Sequence, residues 1–198
     1  DNEITTRVPE IKINEEGKIT YIHPKEPIIV ANSNIVTYTI RVYNEGTTAG
    51  YAESICDDVP EGLEFIPDNE INKQYGWKLS EDGKSLTTDY LSRDKAIDNI
   101  LKAFDRATMQ TPDYKDVKIA FKVTNAKLPE DKILINTAEI AEDADKNGNS
   151  VDDIDSIPNN KNEEGKDENH NFKEDDIDKE YIKVQYFDLA LLKWVNKV

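Results

Sequence analysis

Residues 35–43 read Ile-Val-Thr-Tyr-Thr-Ile-Arg-Val-Tyr. Successive side chains of an extended chain point to opposite faces, so Val36, Tyr38, Ile40 and Val42 form an apolar face and Thr37, Thr39 and Arg41 a polar one. Asn44-Glu45-Gly46 follows and supplies a turn. The same alternation recurs at Val117–Val123, where Val117, Ile119 and Phe121 point inward and two lysines outward, and again at 133–140 and 181–195. Pro60-Glu61-Gly62 and Glu81-Asp82-Gly83 punctuate further short strands. Seven or so strands at this spacing predict a mainly β fold, an antiparallel β-sandwich. One stretch departs from it. Between Arg93 and Arg106, Ala96, Ile97, Ile100, Leu101 and Phe104 recur at helical spacing with Ser92 placed to cap, which predicts one inserted amphipathic helix.

The chain of 198 residues is long enough to bury a substantial core. Its 25 Lys and Arg against 41 Asp and Glu give a net charge of -16, which repels nucleic acid and anionic membrane and makes cations the natural partners. A single cysteine, Cys56, excludes an internal disulfide framework. No apolar run approaches the ~18 residues of a membrane span, and Asp1-Asn2-Glu3 does not open a signal peptide, so the chain reads as an excised, soluble segment.

Three polar residues fall where alternation puts core. Leu189, Leu191, Lys193 and Val195 share one face; Asn136 goes with Leu134, Ala138 and Ile140; Asp57 goes with Ile55 and Val59. A buried lysine, amide and carboxylate each cost several kcal/mol alone, roughly, so they must meet one another or stay in water. One way to satisfy all three is covalent: the lysine amine attacks the asparagine carboxamide to form an isopeptide bond, with Asp57 moving the proton. Lys12 is the competing amine, although alternation puts it with Glu10 on a polar side. The plainer reading has Lys193 reaching water at a rim, Asp57 capping a turn and Asn136 bonding backbone at an edge.

From Glu139 to Glu180 there are 16 acidic residues and five lysines, so this stretch carries -11 of the net charge. Within it Asp143, Asp145, Asn147, Gly148 and Asn149 follow the first half of an EF-hand-type loop, and Asp152, Asp153 and Asp155 come after. Calcium takes about six to eight oxygens, and Asp175 and Asp176 could close the coordination from across the loop. Position 12 of such a loop is Ile154 rather than Glu, and a solvated acidic loop is the alternative.

The segments VTYTIRVYNEG, GYAESICDDVPEGLEFIPDN, YGWKL, TTDYLS and ILINTAEIAED, in that order, resemble the conserved-repeat domain found in tandem on surface proteins of Gram-positive, especially clostridial, bacteria. The resemblance covers about residues 20–160. An Asp-x-x-Pro-x-Gly-Leu-x-Phe element falls on Asp57, Pro60, Gly62, Leu63 and Phe65, and an Asn-Thr-Ala element on Asn136, Thr137 and Ala138. It implies an immunoglobulin-like sandwich related to collagen-adhesin stalk and pilin modules, several of which carry a Lys-Asn isopeptide bond helped by an acid. Lys193, Asn136 and Asp57 take those roles here. In such repeats the FDLAL-x-K strand comes first, whereas FDLALLKWV here occupies residues 187–195. The expected organisation is therefore a repeat domain over 1–180, with an acidic loop region at 141–180, and a terminal strand over 181–198 that opens a following repeat. Lys193 would then fold back or be donated to a neighbouring molecule.

This implies an extracellular, non-enzymatic structural repeat of the cell surface or cell wall, with neighbouring repeats as partners. The alternative is an adhesin module that binds a host protein or glycan through the acidic loops or an aromatic platform of Tyr75, Trp77 and Tyr90. The two histidines, His23 and His170, have no metal-ligand spacing and no nucleophile partner, so the pattern gives no catalytic site.

Overall fold

The computed structural model describes residues 7–151, 156–157 and 174–197. The alternating stretch at its centre is a ten-residue strand, and the other elements arrange themselves about it. Among the described residues the chain runs through β1 (Glu10–Ile13), β2 (Ile19–Ile22), β3 (Ile28–Ala31), β4 (Ile35–Asn44), β5 (Gly50–Asp58), β6 (Leu63–Phe65), α1 (Glu70–Gln74), β7 (Lys78–Leu79), β8 (Ser85–Thr88), β9 (Asp113–Val123), β10 (Ile133–Asp145) and β11 (Ile177–Gln185). β1 and β2 form a separate hairpin. The remaining strands make a six-stranded sheet, β3-β11-β10-β5-β8-β7, and a three-stranded sheet, β4-β9-β6. The strands are thus divided between two layers, as in a β-sandwich. All pairings are antiparallel except β11 with β3, which is parallel.

The core lies between the two sheets. β4 and β9 are in register, with Val36 opposite Phe121, Tyr38 opposite Ile119 and Ile40 opposite Val117. The inward side chains of β9, Val117, Ile119, Phe121 and Val123, are completely buried, and Ile55, Leu86, Leu134, Ile182 and Val184 meet them from the larger sheet. Burial of one such side chain contributes about 1.5–3 kcal/mol. Gly62 makes the turn into β6 at φ 96°, and a Cβ there would come within 2.8 Å of Leu134, so the Pro60-Glu61-Gly62 turn tolerates only glycine at this point.

The helix expected over 93–106 does not form. That segment contains one 3-10 turn at Ile97–Asn99, and its apolar residues are anchored one by one. Leu101 exchanges both backbone hydrogen bonds with Gly50, and the Phe104 N–H donates to the Gly46 carbonyl at 2.8 Å. Those pairings with the start of β5 take the groups that a helical ladder would need. The helix that is present, α1, is five residues long and capped by Asn69, whose side chain accepts from the Ile71 N–H. Its Asn72 is buried and clamps the helix to β9, accepting from the Ala120 N–H and donating to the Ala120 carbonyl, each at 2.8 Å. A buried peptide group left unpaired costs about 1–3 kcal/mol, which is what Asn72 prevents at both ends of this residue.

β11 begins at Ile177 and ends at Gln185, so the sandwich continues past the expected boundary at residue 180 and the strand expected to reach Val195 stops ten residues earlier. Residues 186–197 carry neither helix nor strand. Among the described residues no helix is long and apolar enough to cross a membrane.

Candidate functional site

Asp57 lies near the end of β5, between β10 on one side and β8 on the other, opposite Ala138 and Leu86. Period-two alternation turns it inward with Ile55, and its side chain has no exposed surface. Asn136 on β10, inward with Leu134, is 4% exposed. Its amide nitrogen donates to Asp57 Oδ1 at 2.7 Å and to the Asp58 carbonyl at 2.8 Å. Two of the three polar residues that alternation assigned to the core are therefore there, held against each other by a charge-assisted hydrogen bond.

Tyr38 faces them from β4. Its hydroxyl is buried with no hydrogen-bond partner among the described residues. Burial pushes its ionisation upward, and the negative charges of Asp57 and Glu180 push it further in the same direction. The Tyr38 hydroxyl is thus a buried donor within the electrostatic reach of a buried carboxylate.

Lys193 is not with them. It lies in the extended tail after β11, where its neighbours Leu191, Leu192 and Trp194 are also exposed. Alternation assigned it to an apolar face, but a strand face is buried only where the strand has a sheet to join. Lys12 is on β1, largely exposed, 3.6 Å from Glu10 on the polar side. Neither candidate amine reaches Asn136 within this one molecule.

The sequence reading missed a second polar cluster. Along the first half of β11, where β3 provides no pairing, Glu180 accepts from Arg7 at 2.8 Å, and His23 lies 3.4 Å from the same carboxylate. Lys25 lies 2.7 Å from Asp178. Burial works to raise the Asp178 carboxyl, but hydrogen bonding from His23 and the charge of Lys25 hold it below the usual value. These partners are about 150 or more positions apart in the chain, so no local pattern announces them. Glu139 of β10 is a further buried acid.

The expected cation ligands lie only partly among the described residues. Asp143 belongs to β10 and pairs with Ala52, while Asp152, Asp153 and Asp155 lie outside the described residues. Asp145 closes the hairpin that ends β10: its carboxylate accepts from the Asn149 N–H at 2.9 Å, from the Asn149 side chain at 3.1 Å and from the Asn147 N–H at 2.8 Å. In that role Asn147 and Asn149 donate to Asp145. Asp175 accepts from the Ser156 hydroxyl, and the Asp176 carbonyl accepts from the Ile140 N–H. Among the described residues no three acidic, histidine or cysteine side chains converge as a metal site.

The aromatic platform is largely core. Trp77 is buried and its indole N–H donates to the Lys118 carbonyl at 2.8 Å, while Tyr75 and Tyr90 meet edge to face with centroids 4.7 Å apart. No protein-family model matches the chain and no curated protein matches it. What fold and site define together is a β-sandwich domain with a buried carboxylate–carboxamide pair.

The Asp145 turn has a pH signature. The hydrogen bonds from Asn149, and then those from Asn147, hold its carboxyl at about 2, against an ordinary 3.8. A carboxyl depressed by folding contributes stability that is complete above its unfolded value and is lost as pH falls through the folded one. The window here runs from about pH 4 to about pH 2. A carbon-13 titration of Asp145 should give a midpoint near the lower figure, and Asp145→Ala should flatten the loss of stability across that window. A midpoint at the ordinary carboxyl value would show that the turn does not hold.

Proposed function

We propose that this chain is a non-enzymatic structural repeat of a bacterial cell-surface stalk or adhesin, working outside the cell, with neighbouring repeats as its partners and a Lys-Asn isopeptide bond, its lysine supplied by a neighbouring copy or repeat, as its brace. The observation that carries this reading is the Asn136 carboxamide, buried in an apolar sandwich and bonded at 2.7 Å to a buried carboxylate. A domain built for recognition alone gains nothing from a carboxylate in its core, since burying one costs several kcal/mol, roughly. A domain that crosslinks itself needs an acid at that point.

The chemistry balances without a cofactor. A neutral lysine Nζ attacks Asn136 Cγ, a new C–N bond forms, the Cγ–Nδ2 bond breaks, and the amide nitrogen leaves as ammonia. Asp57 takes a proton from the attacking amine and returns it to the departing nitrogen, to which Oδ1 is already bonded. Nothing is oxidised or reduced, and the protein turns over once. A covalent tie across a sheet resists extension and proteolysis because the strands it joins cannot separate. Under denaturing conditions the joined chains should stay covalently linked, with a mass short of the summed sequence masses by one ammonia per bond, and peptide mapping should recover Asn136 branched to a lysine. A full mass with unbranched Asn136 would contradict the crosslink.

Calcium is the second brace of this proposal, through the acidic arm that includes Asp143 and continues through residues 152–155. A cation bound by the folded state alone raises the melting temperature. Added calcium should raise Tm and a chelator lower it; an unchanged Tm removes calcium from the account.

A further inference from the structure

β4 is the edge of its three-stranded sheet: β9 pairs with one side along all ten residues, and among the described residues no strand pairs with the other. The inward residues show the consequence. Those of β9 are fully buried, whereas on β4 Tyr38 and Val42 are buried but Val36 and Ile40 are only half-buried. A long edge strand without proline, its apolar side covered only in part, is a template for another strand. The same molecule carries an unpartnered strand sequence. Phe187, Leu189, Leu191, Leu192, Trp194 and Val195 are each at least 73% exposed.

We propose that Phe187–Val195 of one molecule adds as an antiparallel strand to the open edge of β4 in a second copy, with Lys193 turned inward toward Asp57 and Asn136. The docking stands on the edge and the tail; only its covalent completion rests on the crosslink reading. Register supports it. If Lys193 lies opposite Tyr38, then Val195 falls beside Val36, Leu191 beside Ile40 and Leu189 beside Val42, so nine donor residues cover β4 from Val36 to Asn44, with Leu189, Leu191 and Val195 on the core side and Leu192 and Trp194 on the outer one. The single cation of that donor face then enters a core region that holds Asp57 and the partnerless Tyr38 hydroxyl.

Reach decides between a second copy and the same chain. Gln185 at the end of β11 pairs with Ala31, and the turn at 31–34 leads directly into Ile35, so the tail departs at the Ile35 end of β4. An antiparallel donor must start at the Asn44 end, about 30 Å away for a strand of this length. One residue, Tyr186, separates Gln185 from Phe187 and spans only ~7 Å with its two peptide links. A parallel fold-back starts at the correct end but carries Lys193 three or four residues past Tyr38, an overshoot of about 10 Å. The donor must therefore come from another molecule.

Each copy then offers one donor and one acceptor, an arrangement that closes into a reciprocal dimer or grows as a linear chain. Sedimentation velocity of the full chain across a concentration series should show association that increases with concentration. The variant Leu189→Asp/Leu191→Asp alters only exposed tail residues, so it should keep the circular dichroism of the parent and associate at least about tenfold more weakly, because each donated strand would bury two carboxylates. A monomer throughout the series, or a variant that associates as well as the parent, would overturn the proposal. Complexes joined through a Lys193–Asn136 branch, and complexes that dissociate fully in denaturant with Asn136 unmodified, both uphold strand donation. The second result sinks the crosslink reading alone.

Discussion

A carboxylate with no exposed surface sets the terms for everything around it. Asp57 sits on a strand paired on both sides, so it cannot reach water by a rotamer change, and its charge must be met within the sandwich. The Asn136 amide supplies one hydrogen bond to it and a second to the Asp58 carbonyl, tying β10 to β5 by side chain as well as by backbone. Because both residues sit inward on adjacent strands, the pair survives only in one register: a slip of one residue would send Asn136 to the opposite face. A polar pair in an apolar core thus acts as a pin for strand alignment. Tyr38, across the core on β4, feels the same charge, so all three lie in one electrostatic neighbourhood.

The two flanks of the sandwich are handled differently. Where β3 fails to cover the first half of β11, Arg7 and Lys25 cross the gap to pair with Glu180 and Asp178, and His23 lies against both. The hairpin β1–β2 adds a tilted ring contact between Tyr21 and Tyr43, with centroids 4.7 Å apart, and the Tyr21 hydroxyl donates to Glu45. These contacts fix the amino-terminal segment against the carboxyl-terminal strand without adding a strand to β4. Among the described residues the edge of β4 is left without a strand partner, with Val36 and Ile40 half covered. A chain of net charge -16 would repel its copies at long range, but screening shortens that repulsion to about 10 Å in ordinary salt, well below the length of a docked strand.

Much of this was legible in residue order, and the reasons divide cleanly. β4, β9 and β10 are long, paired strands with one core face, so a period of two identifies them and even places Asp57 and Asn136 inward. Lys193 shows the limit of that argument: parity says which residues share a face and is silent on whether the face is covered. The stretch 93–106 shows another limit. Its apolar spacing satisfies a helix, yet Leu101 and Phe104 spend their backbone groups on Gly50 and Gly46, partners 51 and 58 positions away that no local count includes. Helix α1 is too short to display a period, and its one local sign is the Asn69 cap. The flank cluster and the Asn72 clamp depend on residues brought together by the tertiary fold.

The claim on which the account turns is that Asp57 and Asn136 act as one unit, and a double-mutant cycle measures that directly. Urea unfolding of the parent, Asp57→Ala, Asn136→Ala and the double variant gives the coupling energy between the two sites. Each single change should cost about 2–4 kcal/mol, because it leaves the other group buried without its partner, and the double change should cost less than the sum by about 1–3 kcal/mol. Losses that add to within ~0.5 kcal/mol would mean that the two side chains are independent core residues, and the site would lose its physical basis.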